Sequence, residues 1–268
     1  MGQILHQLGI NVDLSGVILI WALLMGRVLP LILFAPFIGG DLVPQQVKLG
    51  VGISLTMLLY PFVADTPLPV GAISFVLLLL KEIFVGVAIA FVATAAFDAA
   101  RSAGTFVDTV SGANMATVFV PQIQTQATLY SDFKFQLTIV MFLGLNGHHV
   151  VIQALFESFK VIPLDHWPRF SHGYWPFFEL IIRVSSQMLM VSIALAAPAS
   201  IATFVTDLAL GLVNRVAPQI QVFFISMAVK PMVVALMTLA ALSVLQEEII
   251  KIFQGMLGHV KDVVYFFS

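Results

Sequence analysis

The sequence predicts an all-α, polytopic membrane protein whose helices form bent hairpins, and three observations carry that prediction. Of 268 residues, 60% are hydrophobic and only 10% charged, against roughly 45–50% apolar and about 25% charged in soluble domains. The apolar residues gather into six blocks, most near the length of about 20 residues that a helix needs to cross roughly 30 Å of hydrocarbon. Pro198 interrupts the longest block, where a missing backbone donor bends a helix. A net charge of -2 leaves no basic stripe to neutralise phosphates, which excludes nucleic acid as a partner. The absence of Cys excludes disulfides, thiolate nucleophiles, Fe–S clusters and Cys-ligated zinc.

Taken in order, the first block is residues 14–38. It follows a start without Lys or Arg and carries no small-residue cleavage signal, so residues 1–13 read as a short ordinary terminus rather than a removable leader. The second block, 47–63, is barely long enough and begins beside Lys48. The third, 70–97, leads into the stretch on which the chain is organised, 98–126, reading DAARSAGTFVDTVSGANMATVFVPQIQTQ. That stretch is too mild for a charged loop and too polar to face lipid. It is expected to be irregular backbone in a protein-walled or water-lined space, where a gate or substrate site belongs.

The fourth block, 127–152, contains Asn146-Gly147, expected to end or interrupt a helix. In the connection 153–176, Pro163, Pro168 and Pro176 exclude a continuous helix, while Trp167, Tyr174 and Trp175 suit a membrane interface. The fifth block, 177–213, would be about 55 Å long as one helix, so it must tilt, protrude or bend at Pro198. After the sixth block, 220–245, Ile250, Phe253, Leu257, Val260, Val264 and Phe267 alternate at spacings of three and four. This predicts an amphipathic helix whose balanced Glu, Asp and Lys residues favour a protein partner over an anionic lipid surface.

Charge also lies inside the apolar blocks, at Arg27, Lys81, Glu82, Asp132, Lys134, Arg183, Asp207 and Lys230. Each costs at least about 2.5–3.5 kcal/mol at the centre of a membrane helix. These side chains need partners or water, or else they mark helix ends and snorkel. Lys81 and Glu82 are helix neighbours that do not face one another, so each is expected to pair with a different segment or subunit. The Lys and Arg residues of the short loops are too evenly divided to set an orientation. Ala96, Ala100, Gly104, Asp108 and Gly112 recur every four residues, the pattern of a close helix approach or of a low-specificity alanine run.

Phosphate-cradling Gly-Lys loops, nucleophile elbows and HExxH are absent. Adjacent His148 and His149 point about 100° apart on a helix and do not form the i, i+4 pair of zinc helices, so neither a metal nor a cofactor is expected. Asp98, Asp108, Asp132 and Asp207 allow an alternative reading as a proton relay in a secondary transporter or channel for a small solute or ion.

The segment 211–223, GLVNRVAPQIQVF, followed by Ser226-Met227-Ala228-Val229-Lys230, resembles the R-x-A-P-Q-x-x-V-F signature of the FliR/SctT family. Arg27 before Pro30, Ala35-Pro36-Phe37, Val43-Pro44 leading to Lys48, residues 98–104, and Leu145-Asn146-Gly147-His148 also fit, in order. One departure is Val120-Pro121, where many relatives carry Asp-Pro. The resemblance implies a non-enzymatic, export-gate subunit fold in the bacterial inner membrane, at the base of a flagellum or a type III secretion injectisome. It implies assembly with SctR/FliP-like and SctS/FliQ-like subunits, contact with an SctU/FlhB-like switch protein and with membrane lipid, and unfolded secreted proteins as cargo. It divides the chain into a FliP-like part, 1–176, including the plug-like loop 98–126, and a FliQ-like hairpin with its tail, 177–268.

The resemblance also implies site residues. A channel plug carries over onto residues 106–121, from Phe106 to Pro121, with Gly112 supplying flexibility and Met115, Val118, Phe119 and Val120 giving an apolar constriction. Lys81, Glu82, Asp98, Arg101, Asp207, Arg215 and Lys230 are expected to make polar contacts between subunits. Arg215, Pro218 and Gln219 form the signature corner, read as a tight helix-loop-helix turn in which Pro218 disfavours helix at Ala217 and Arg215 caps exposed carbonyls.

Overall fold

A computed structural model describes residues 14–38, 40, 43–64, 66–67, 71–115, 128–168 and 173–266. Every regular element among them is helical. They are α1 (Leu14–Phe34), α2 (Gln45–Val63), α3 (Ala72–Ser111), α4 (Leu129–Gly144), α5 (Gly147–Val161), α6 (Trp175–Val216), α7 (Val222–Ala240) and α8 (Leu242–Phe266), with short 3-10 turns at Pro36–Ile38 and Ala113–Met115. Helices α1, α2, α3, α6 and α7 are each long and apolar enough to cross a membrane, and α4 with α5 makes a sixth candidate. The chain is an all-α, multi-pass membrane protein. At 40 and 42 residues, α3 and α6 are each roughly 60 Å long, about twice the hydrocarbon thickness.

Three boundaries differ from expectation. The stretch 98–126 does not begin as irregular backbone, because α3 continues through Ser111. Alanine favours helix, and the small residues of this part meet a neighbouring helix. Glycine ends the run, since Gly112 takes φ 75°, the left-handed geometry that stops a helix. At the other end of the N-terminal half, α5 runs on to Val161, well into the expected connection. Asn146, with φ 57°, breaks α4 from α5 as the sequence predicts. Finally, the sixth block stops at Ala240 and the amphipathic helix begins at Leu242. It buries Leu245, Ile249, Phe253, Met256, Val260, Val263 and Val264, a stripe that keeps Phe253, Val260 and Val264 but leaves Ile250 and Leu257 at its margin.

Two compact units make up the chain, one of Met1–Thr94, His148–Leu180 and Gly258–Ser268, the other of Ala95–Gly147 and Ile181–Leu257. Helices α3, α6 and α8 each contribute to both.

In the first unit α1 packs on α2 and crosses α3 at glycines. A Cβ on Gly86 would strike the backbone of Arg27, and one on Gly26 would press on Leu79 and Glu82. Leu23, Leu24, Val28, Ile32, Val85 and Ile89 are buried there.

The second unit centres on Phe97, Phe142 and Phe253, whose ring centroids lie 5.0 to 5.5 Å apart in tilted and edge-on arrangements that aromatic quadrupoles favour.

Candidate functional site

The end of α3 and the start of α4 bracket the second half of the predicted gate stretch, and they are fastened to each other. A Cβ on Gly104 would overlap the backbone of Ser131, so the every-four stripe is a close helix approach with Gly104 at the contact. Four residues on, Asp108 is fully buried, and its carboxylate accepts hydrogen bonds from the backbone N–H groups of Tyr130 (2.9 Å) and Ser131 (3.0 Å). The first N–H groups of a helix lack intrahelical acceptors and carry partial positive charge. Thr128, at the usual capping position, makes no cap bond and donates its hydroxyl to Asp132 instead. An aspartate of the preceding helix therefore caps α4. Ser131 Oγ adds a bond to the Arg101 carbonyl at 3.1 Å.

Two buried side chains of α4 reach further. The Tyr130 hydroxyl donates to the Pro231 carbonyl of α7 at 2.6 Å, and Lys134 Nζ donates to the Leu195 carbonyl of α6 at 2.8 Å. Past α3, Asn114 Nδ2 donates to Thr109 Oγ1, and the turn Ala113–Met115 lies against α7. Of the predicted plug residues, Phe106 stands exposed on α3 rather than in a loop, Gly112 is the helix stop with open space at its Cβ, and Met115 is exposed on the turn. Val118, Phe119, Val120 and Pro121 lie outside the described residues.

In the first unit a second polar site is built from three helices. Arg27 of α1 is fully buried; its Nε meets Glu82 Oε2 at 2.5 Å, and Lys81 Nζ meets the other carboxylate oxygen. The two cations exceed the one anion, and main-chain oxygens compensate. Arg27 donates to the carbonyls of Ser158 and Ile162, while Lys81 donates to those of Pro163, Leu164 and His166. These oxygens sit at and just beyond the C-terminal end of α5, where helix carbonyls are unpaired and the dipole is negative. The Arg27 guanidinium also stacks 4.2 Å from the centroid of Phe159.

The expectation that Lys81 and Glu82 do not face one another is corrected. The lysine stem is long enough to fold its amine back onto the adjacent carboxylate. Lys81 and Glu82, expected at contacts between subunits, are 4% and 0% exposed and make these contacts within the chain. Nor does Arg27 snorkel. The sequence carries no signal for the five carbonyl partners, because every residue has a carbonyl.

The remaining predicted residues are spread over α3, α6 and α7. Asp98 and Arg101 are exposed on α3, the Arg101 guanidinium lying 3.9 Å from the Phe135 ring centroid. Asp207 of α6 pairs with Lys230 of α7 at 2.5 Å, both side chains partly exposed. At the signature corner α6 ends at Val216, Ala217 N–H bonds the Val213 carbonyl, and Ile220 N–H bonds that of Ala217. Arg215, Pro218 and Gln219 are exposed there, beside a cleft of about 530 Å³ lined by Asp207, Asn214, Pro218, Gln221 and Phe224. With Asp108 capping a helix, Asp132 held by Thr128 and Asp207 on Lys230, these aspartates serve separate local contacts. Among the described residues no group of three or more His, Asp or Glu is placed to hold a metal ion.

Comparison with known proteins bears on this arrangement. The chain is similar to the flagellar biosynthetic protein FliR of Pectobacterium carotovorum, with 31% identity over 81% of each chain. It is similar to Yop proteins translocation protein T of Yersinia pestis, at 32% identity over 82% of this chain and 84% of that one. It also matches the secretion system apparatus protein SsaT of Salmonella typhimurium, at 31% over 78% and 82%. Residues 18–256 match the sequence profile of the bacterial export proteins, family 1. That range takes in the fastened α3–α4 junction, the buried Arg27 site and the signature corner, and the chain belongs to this family.

Proposed function

We propose that this protein is a subunit of the inner-membrane export gate of a type III secretion or flagellar export apparatus, and that residues 106–121 close its channel entrance. The names of the relatives support an export-apparatus role, and the family resemblance supports SctR/FliP-like, SctS/FliQ-like and SctU/FlhB-like partners and unfolded proteins as cargo. The observation that carries the plug reading is the junction itself. Residues 116–127 join two helix ends tied together by Gly104, Asp108 and Ser131. A segment with both ends fixed can be displaced by cargo and return to one place, as a plug must. The driving energy comes from other components.

The experiment has two parts. A tag on this chain should recover one large, defined particle containing two smaller helical membrane proteins; recovery of this chain alone would reject the gate assignment. Deleting residues 113–120 in that particle should make it leak ions. Unchanged conductance with normal assembly would reject the plug.

A further inference from the structure

We infer that Lys48 is a socket for a carboxylate carried on a helix of a neighbouring subunit. Among the described residues four cations are buried: Arg27, Lys48, Lys81 and Lys134. Three of them find acceptors inside the chain, Arg27 on Glu82, Ser158 and Ile162, Lys81 on Glu82 and three carbonyls, and Lys134 on the Leu195 carbonyl. Lys48 is only 8% exposed, yet it makes no hydrogen bond or ion pair among the described residues. A buried ammonium left in that state is strongly unfavourable. Its Nζ is not one of the polar atoms sealed from solvent, so a group from outside the chain reaches it.

The surroundings on α2 show why the chain supplies no partner. One stripe of this helix turns inward, Lys48, Gly52, Thr56 and Leu59, at spacings of four, four and three. A Cβ on Gly52 would touch Leu29 and Ile32 of α1, and the Thr56 hydroxyl meets Met25 Sδ at 3.2 Å, so the stripe faces apolar side chains. Lys48 stands in the first turn of α2, where the helix dipole is positive and adds repulsion. The rest of the helix leaves Val47, Ile53, Met57 and Leu58 exposed, and only 28% of its apolar window is buried, against half for α1 and α3. A bare apolar helix with an unpaired cation at one end complements a helix that carries an acidic side chain. So small an opening admits the tip of a side chain, which favours such a carboxylate over a lipid phosphate carrying its glycerol. The socket presupposes the export-gate reading above, which supplies the neighbouring subunits.

The test purifies the tagged particle with Lys48→Met, Lys48→Arg and Lys48→Glu, and unfolds the isolated chain in detergent. Lys48→Met keeps the stem and removes the charge. It should leave the unfolding midpoint of the isolated chain unchanged or raise it, because no internal contact is lost. The same variant should cut the particle yield roughly tenfold, the factor carried by one charge-assisted hydrogen bond, and Lys48→Arg should restore most of it. Lys48→Glu should abolish assembly, and an Asp- or Glu-to-Lys change in a neighbouring subunit should recover it. A lower midpoint for Lys48→Met would mean that the chain itself supplies the anion, the nearest carboxylate in sequence being Asp41. That result overturns the socket, as does recovery of Lys48→Glu only by changes within this chain or by none. A normal particle yield from Lys48→Met also overturns it and leaves the export gate standing; loss of anionic lipid from that particle would assign the cation to a headgroup instead. If the wild-type chain is recovered alone, the export-gate reading itself fails, and the socket with it.

Discussion

The Arg27–Glu82–Lys81 site and the Asp207–Lys230 pair are both ion pairs within apolar helices, yet they are built in opposite ways. The first is closed: carboxylate and guanidinium have no exposure, and five main-chain oxygens absorb the surplus positive charge. The second is open, with the Asp207 side chain 47% exposed. The helices around them follow suit. Half of the apolar window of α1 is buried inside the chain, against 11% of that of α7. A site completed within the chain holds its own helices together, whereas an apolar helix left bare with a half-open ion pair is finished by lipid or by another subunit.

That contrast can be broken most sharply at Glu82. Glu82→Leu strands two buried cations and should destabilise the chain by about 3–5 kcal/mol, read as loss of folded protein in a detergent unfolding titration. A loss below 1 kcal/mol would mean the site is not closed. Next comes Gly104→Val, whose side chain must push α4 off α3; overpacking of this kind costs about 1–3 kcal/mol or more, and the same titration should show it. Asp108→Ala removes the cap of α4 and should cost about 0.5–2 kcal/mol, with faster hydrogen exchange confined to the first turn of α4. The smallest effect belongs to the open pair. Lys230→Met should change the stability of the isolated chain by about 0.2–1 kcal/mol at most. Its consequence should appear instead as a lower yield of assembled particle, and a large loss in the isolated chain would place the pair with the closed site.

Much of this was legible beforehand. Composition set the class, block lengths placed the spans, Asn146-Gly147 marked a break, and the every-four stripe through Gly104 left a close approach and a plain alanine run as its two readings. The gate stretch was misread at its start for a physical reason. Residues 98–111 are unsuited to lipid but good helix formers, and polarity alone does not separate a loop from a helix that packs against protein. Asp108 was noticed as a member of the stripe, but its capping role was hidden because the helix it caps starts 21 positions later in sequence, at Leu129.

By itself the sequence determined which segments are apolar and where most of the helices lie, since propensity and hydrophobic pattern are local, and it carried the signature that places the chain in its family. Only the tertiary structure decided what each charge does. Whether Glu82 serves Arg27, Lys81 or another subunit, whether Asp108 carries protons or caps a helix, and whether Lys134 has a partner all depend on main-chain oxygens and N–H groups brought close by the fold. Those groups are the same in every residue, so a sequence contains no record of which of them will be left to satisfy.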